Sequence, residues 1–255
     1  MKIPAVGILI ASAFAATGCV TEGAITQEPA SDAEQVEANL ALGIGYLQEE
    51  RPDLAIDSLQ RAIDIQPRNA DAHRTIAIAY TQTGELDLAE EHHRRATQLA
   101  PRDADTQNGY AVFLCLQNRW DDAEPYFERA IGVLRGAATL TPVMNAATCA
   151  LGGGDVEASE AYLRRALDVD ASNGTALRGM IDLSIRTSNY LQGRAFWQRL
   201  ERSGQLQAED YLSCYVIETQ LNSNQGAAGC ADRLAREFPG SPALSQLRDI
   251  ERDGG

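Results

Sequence analysis

The sequence of 255 residues is poor in most of what chemistry at a site would need. It has one lysine, Lys2; the other basic residues are arginines, and together they number 22 against 36 acids, a net charge of −14. Such a chain has no basic excess with which to displace counterions from phosphates, which excludes nucleic acid as a partner. Two tryptophans, five phenylalanines and three histidines leave few candidates for a catalytic centre. No HExxH, GxSxG, phosphate loop or dinucleotide fingerprint occurs. Gly152-Gly153-Gly154 is not followed by the Gly-Lys-Ser/Thr that a phosphate loop requires. The cysteine spacings do not form a zinc ribbon. His92 and His93 are adjacent, so on a helix they point about 100° apart and cannot form a same-face metal pair. The reading is a protein with no catalytic residues, no metal and no cofactor. Hydrophobic residues, at 44%, recur along the whole chain, which excludes disorder throughout.

A long uncharged run lies at the start. Lys2 precedes the largely apolar stretch Ile3 to Ala16, which ends in small residues. This is the layout of a secretory signal, too short for a comfortable membrane span. Its end, Ala16-Thr17-Gly18-Cys19, resembles the lipobox of bacterial lipoproteins, although that pattern more often opens with leucine. The resemblance implies cleavage after residue 18 and lipidation at Cys19, with several acyl chains giving a durable anchor. By the same resemblance, Val20 rather than aspartate after the cysteine points to the outer membrane. Removing residues 1–18 takes away the only lysine and leaves 21 arginines against 36 acids. Attachment must then rest on the lipid rather than on a polybasic stretch. Residues 19–35 form the lipidated N-terminus and a polar tether that could reach about 50 Å when extended.

Beyond the tether the chain is periodic. Tyr46 and Tyr80, Ala55 and Ala89, Ala62 and Ala96, and Pro67 and Pro101 all stand 34 residues apart. Within each unit apolar residues recur at three and four, so each unit is a pair of helices joined by a polar turn. These residues resemble the tetratricopeptide repeat. Six units are expected at approximately 36–69, 70–103, 104–138, 139–172, 173–206 and 207–241, with 242–255 as a capping helix and tail begun by Ser241-Pro242. The third unit ends in a slightly long stretch, Gly132 to Leu140, and the fourth offers Gly153, Ala158, Tyr162 and Ala166. The resemblance implies an all-α solenoid, a right-handed superhelix of about six hairpins in which stacking supplies the core.

In that repeat family, fixed positions of each first helix face a concave groove. They select Leu40, Ile44 and Leu47 in unit one, and Arg74 and Ile78 in unit two. Unit three contributes Asn108, Val112 and Leu116, and unit four Val143 and Leu151. This face is apolar enough to take an amphipathic helix or strand.

Four cysteines remain besides Cys19. Cys214 and Cys230, on the two antiparallel helices of unit six, could form a disulfide. Cys115 and Cys149 lie on first helices of successive units; pairing is open to them, but they are read as two small buried residues.

The stretches LALGIGYLQ at 40–48, NGYAVFLCLQNRWDDAEPYFERAI at 108–131 and FPGSPAL at 238–244 resemble the type IV pilus biogenesis and stability lipoproteins, or pilotins. Gly109-Tyr110 stands where that family often has Tyr-Gly. The resemblance implies a monomeric, lipid-anchored protein on the periplasmic face of the outer membrane. It would bind secretin subunits and help them reach that membrane and multimerise. The other roles open to such a chain are an adaptor lipoprotein of the outer-membrane β-barrel assembly machinery and a general envelope scaffold.

Overall fold

A computed structural model describes residues 30–253, all of whose regular structure is helical. Six antiparallel hairpins follow one another: α1 (Asp32–Gln48) with α2 (Pro52–Ile65), α3 (Ala70–Thr83) with α4 (Leu86–Leu99), and α5 (Ala104–Leu116) with α6 (Trp120–Val133). Then come α7 (Leu140–Gly152) with α8 (Val156–Val169), α9 (Gly174–Arg186) with α10 (Tyr190–Ser203), and α11 (Ala208–Gln220) with α12 (Asn224–Glu237). A last helix, α13 (Pro242–Asp253), packs on α11 and α12. Each first helix also touches the second helix before it, so the hairpins stack as a tetratricopeptide-like solenoid in a superhelical arrangement. The signal sequence and Cys19 lie outside the described residues.

Short polar residues set the helix starts. Ser31 caps α1 in a reciprocal capping box with Glu34; Asn69, Asp103 and Asn173 accept from the third backbone N–H of α3, α5 and α9. Ser241 does the same for Leu244 in the last helix. The turns inside the hairpins each carry one residue at positive φ: Glu50, Gly84, Asn118, Gly154, Ser188 and Asn222. The left-handed residue lets the chain reverse after the first helix, which is why polar residues and glycine occupy it.

Those turn residues also count the repeat. Successive ones stand 34 apart except Asn118 and Gly154, which stand 36 apart. The third unit is thus two residues longer than the standard. The excess is taken up between α6 and α7, where Gly136 adopts positive φ and Gly136–Thr139 forms a 3₁₀ turn. This corrects the register expected for unit four. Its turn glycine at positive φ is Gly154, not Gly153, and the small residue at its helix crossing is buried Ser159, not Ala158.

Small side chains set how closely the helices approach. Ala62, Ala96, Ala130 and Ala166 occupy equivalent places on α2, α4, α6 and α8, and all are fully buried. Gly43 is tighter still: a Cβ there would stand 2.5 Å from Cγ of Leu59, inside contact distance, so α1 can lie against α2 only without a side chain.

The buried apolar residues form two clusters. The first, built around Val36, Leu59, Ile63 and Ile76, belongs to α1, α2 and α3. The second runs from Ala89 to Leu247. Partly buried Tyr80 packs against both. Around this junction the buried residues turn polar, with His73, Thr75, His93 and Thr97.

Candidate concave groove

The first helices α1, α3 and α5 lie side by side, each touching the next. Ile44, Ile78 and Val112 form a row across them at 34-residue steps; Ile44 is 40% exposed, Ile78 37%, and Val112 half-buried. Leu116, at 64% exposure, extends the apolar surface at the end of α5. Leu40 and Leu47 are half-buried against the first core cluster, so they contribute edges rather than free side chains.

Arg74 is half-buried and pairs with Asp71 one turn earlier, Nη2 to Oδ1 at 3.1 Å; its Nε is buried without a partner. Asn108 is tied across the repeat interface, accepting from Asn145 Nδ2 at 3.0 Å, so it fastens α5 to α7 more than it lines the groove.

Val143 does not belong to the groove. It is 2% exposed and sits in the main core cluster. The cause is the 36-residue third unit, which moves each groove position of unit four by one residue from that expected. Met144, Thr148 and Leu151 instead line a depression of about 310 Å³ shared with Thr175, Arg178 and Asp182 of α9. Leu151 thus lines this depression, while the other five are not among the expected groove residues. The signal that finds them is the spacing of the turn residues Asn118 and Gly154.

Within this second stretch Arg178 is already engaged. Its Nε donates to both carboxylate oxygens of buried Asp210, at 2.9 and 3.1 Å, and its Nη2 to Oδ2 at 3.0 Å. Trp197 Nε1 donates to the backbone carbonyl of the same Asp210 at 2.8 Å. The groove is therefore apolar across α1, α3 and α5, and mixed polar and apolar across α7 and α9.

Two disulfides brace the solenoid. Cys214 and Cys230 join α11 to α12, with Cα atoms 6.0 Å apart. Cys115 and Cys149 are also bonded, with Cα atoms 5.6 Å apart, where two separate buried thiols were expected. The longer third unit again explains the difference: it turns Cys149 toward α5 and its partner.

Outside the groove, His73 and His92 face each other with Nδ1 atoms 2.8 Å apart, and His73 Nε2 stands 3.2 Å from the carbonyl of Pro67. The spacing in sequence hid this pair because it forms across the hairpin. Burial lowers both pKa values, and burial pushes His93, stacked on Tyr110, down to about 4. Tyr110 and Tyr162 donate to Glu90 and Glu128. Burial first, and these carboxylates second, raise both phenols. A phenol held protonated within a helix interface is a packing group. Among the described residues no set of three or more His, Cys, Asp or Glu is placed to hold a metal ion, and no helix is long and apolar enough to cross a membrane. The described residues form an all-helical scaffold.

Comparison with known proteins bears on the fold. The tetratricopeptide repeat family model matches residues 40–104. The structure of pilF from Pseudomonas aeruginosa is 24% identical, with a TM-score of 0.67 over 86% of this chain and 98% of that one. PilW, a widely conserved type IV pilus biogenesis factor, gives 24% identity and a TM-score of 0.67 over 83% and 97%. YrrB, a tetratricopeptide repeat protein with an unusual peptide-binding site, gives 14% and 0.58 over 75% and 97%. Comparison with curated proteins gives no match. At these identities the likeness shows the fold, a tetratricopeptide repeat solenoid.

Proposed function

We propose that this chain is a non-catalytic adaptor lipoprotein of type IV pilus assembly, which holds secretin subunits and delivers them to the outer membrane for multimerisation. The observation that carries the reading is the apolar row Ile44, Ile78 and Val112 across three adjoining first helices, with Ile44 and Ile78 exposed and Val112 half-buried beside them. Isolated exposed leucines and isoleucines need no explanation, but a row of them at the repeat spacing does. Two further supports are the overall likeness to pilF and PilW over nearly their full lengths, and the lipobox at Cys19.

The division of labour follows from the parts. The solenoid holds an apolar segment of the subunit away from water and from other subunits. The acyl chains on Cys19 supply the address, and the tether lets the solenoid work away from the bilayer. Binding releases nothing covalent, so no catalytic group is called for.

Co-purification tests this. The full-length lipidated protein is expected to bring secretin subunits with it from cell envelopes. The variant Ile78→Asp is expected to lose them while keeping its helical circular dichroism. Undiminished secretin recovery with that variant moves the binding surface elsewhere, and the absence of secretin with the unaltered protein overturns the assignment.

A further inference from the structure

The apolar row has a charged companion. Glu37, Asp71 and Asp105 recur at the same 34-residue steps, each seven residues before Ile44, Ile78 and Val112, and all three are exposed. Seven residues are two helical turns, so each acid shares a face with its apolar partner about 10 Å along the helix. The surface of α1, α3 and α5 therefore carries two parallel rows, one apolar and one acidic. Adjoining helices lie about 8–10 Å apart, which sets the step along both rows. Arg74, between the two rows on α3, is engaged with Asp71; among the described residues Glu37 and Asp105 have no ion-pair partner within 4 Å.

We infer that the occupant of this half of the groove is an amphipathic helix of the partner with an apolar stripe and a basic edge. This inference rests on the adaptor reading above and names the chemistry of what the groove takes. The dimensions agree. In a helix, residues seven apart lie on one side and about 10.5 Å apart, matching the step from one hairpin to the next. Two such steps, from Ile44 to Val112, take about fourteen residues. A helix is about 10–12 Å across with its side chains, so one seated on the apolar row sets its flank over the acidic row. Arginine or lysine on that flank meets Glu37 and Asp105, whereas glutamate there meets like charge.

The test uses the full-length chain in detergent and two fluorescent helical peptides. Both carry leucines at i, i+3, i+4 and i+7 repeats; one has arginines along a flank and the other glutamates at the same places. The arginine-edged peptide is expected to bind at least tenfold more tightly at low salt, an advantage that shrinks as salt screens it. The double variant Glu37→Gln, Asp105→Asn is expected to remove most of that advantage while leaving the helical spectrum unchanged. Ile78→Asp is expected to abolish binding of the arginine-edged peptide. Equal binding of the two peptides, a preference untouched by the double variant, or binding that survives Ile78→Asp overturns the inference. The two readings fail separately. Loss of secretin capture on Ile78→Asp together with indifference to peptide charge leaves the groove standing and removes only the basic edge. Secretin capture that ignores Ile78→Asp removes the groove itself.

Discussion

His73 on α3 and His92 on α4 share one hydrogen bond between their Nδ1 atoms, 2.8 Å apart, so one proton serves two rings. With His73 Nε2–H donating to Pro67, His73 Nδ1 accepts and His92 Nδ1–H donates. Charging both rings would place two protons in the same gap. The pair, with neighbouring His93, makes the second hairpin acid-sensitive.

That sensitivity has a definite sign. Burial holds His93 at about 4, below its ordinary 6.5. The unfolded chain therefore binds the proton first, and stability falls as pH drops from about 6.5 to about 4. His93 alone contributes about 3 kcal/mol to that loss, at 1.36 kcal/mol per pKa unit. Phe127 fills the equivalent place in the next hairpin. His93→Phe is expected to flatten the curve over this range by that amount, measured by urea unfolding at several pH values. An unchanged slope would show that the ring is reached by solvent.

Two disulfides imply a particular chemical map. Protein folded under oxidising conditions is expected to give Cys115–Cys149 and Cys214–Cys230 peptides without reduction. Cys115–Cys149 spans 34 residues and Cys214–Cys230 spans 16. On a loop-entropy account, breaking the longer link costs about 0.7 kcal/mol more. Chemical unfolding of Cys149→Ser and Cys230→Ser compares the two, and free thiols at all four positions in the oxidised protein would refute both bonds.

The shifted register of the fourth hairpin separates two neighbours in function. Val143→Ala empties part of the core and is expected to cost about 1–3 kcal/mol with secretin capture retained. Leu116→Ala is expected to change stability by less than about 0.5 kcal/mol while weakening capture. Thermal melts and co-purification on the same two proteins check this; the reverse pattern would restore Val143 to the groove.

Removing the lipid attachment should change address and not shape. Cys19→Ala is expected to keep the helical spectrum and leave the outer-membrane fraction. Full recovery with outer membranes would mean that something other than the acyl chains holds the protein there.

The repeat itself was plain in the sequence because a helical hairpin of fixed length must place the same small and large residues at fixed intervals. Ala62 and Ala96, or Tyr46 and Tyr80, announce it. The two extra residues between α6 and α7 are harder to see, because the connection itself holds no packing residue; only the 36-residue steps across it, from Ala130 to Ala166 and from Asn118 to Gly154, mark the count. Everything downstream that was misread follows from that slip: Val143 for Met144, Ala158 for Ser159, and Cys149 turned from Cys115. The bond between His73 and His92 was hidden for a different reason. It depends on how far two antiparallel helices slide past each other, a quantity that the period of either helix alone does not set.

Tyr80 is the joint between the two apolar clusters, and both disulfides lie on the C-terminal side of it. Under a pull applied at residue 30, the first hairpin, held by the smaller cluster, would peel away at loads that leave the cross-linked hairpins intact. The solenoid is a yielding strap sewn to a rigid block, and the strap is the end that bears Ile44.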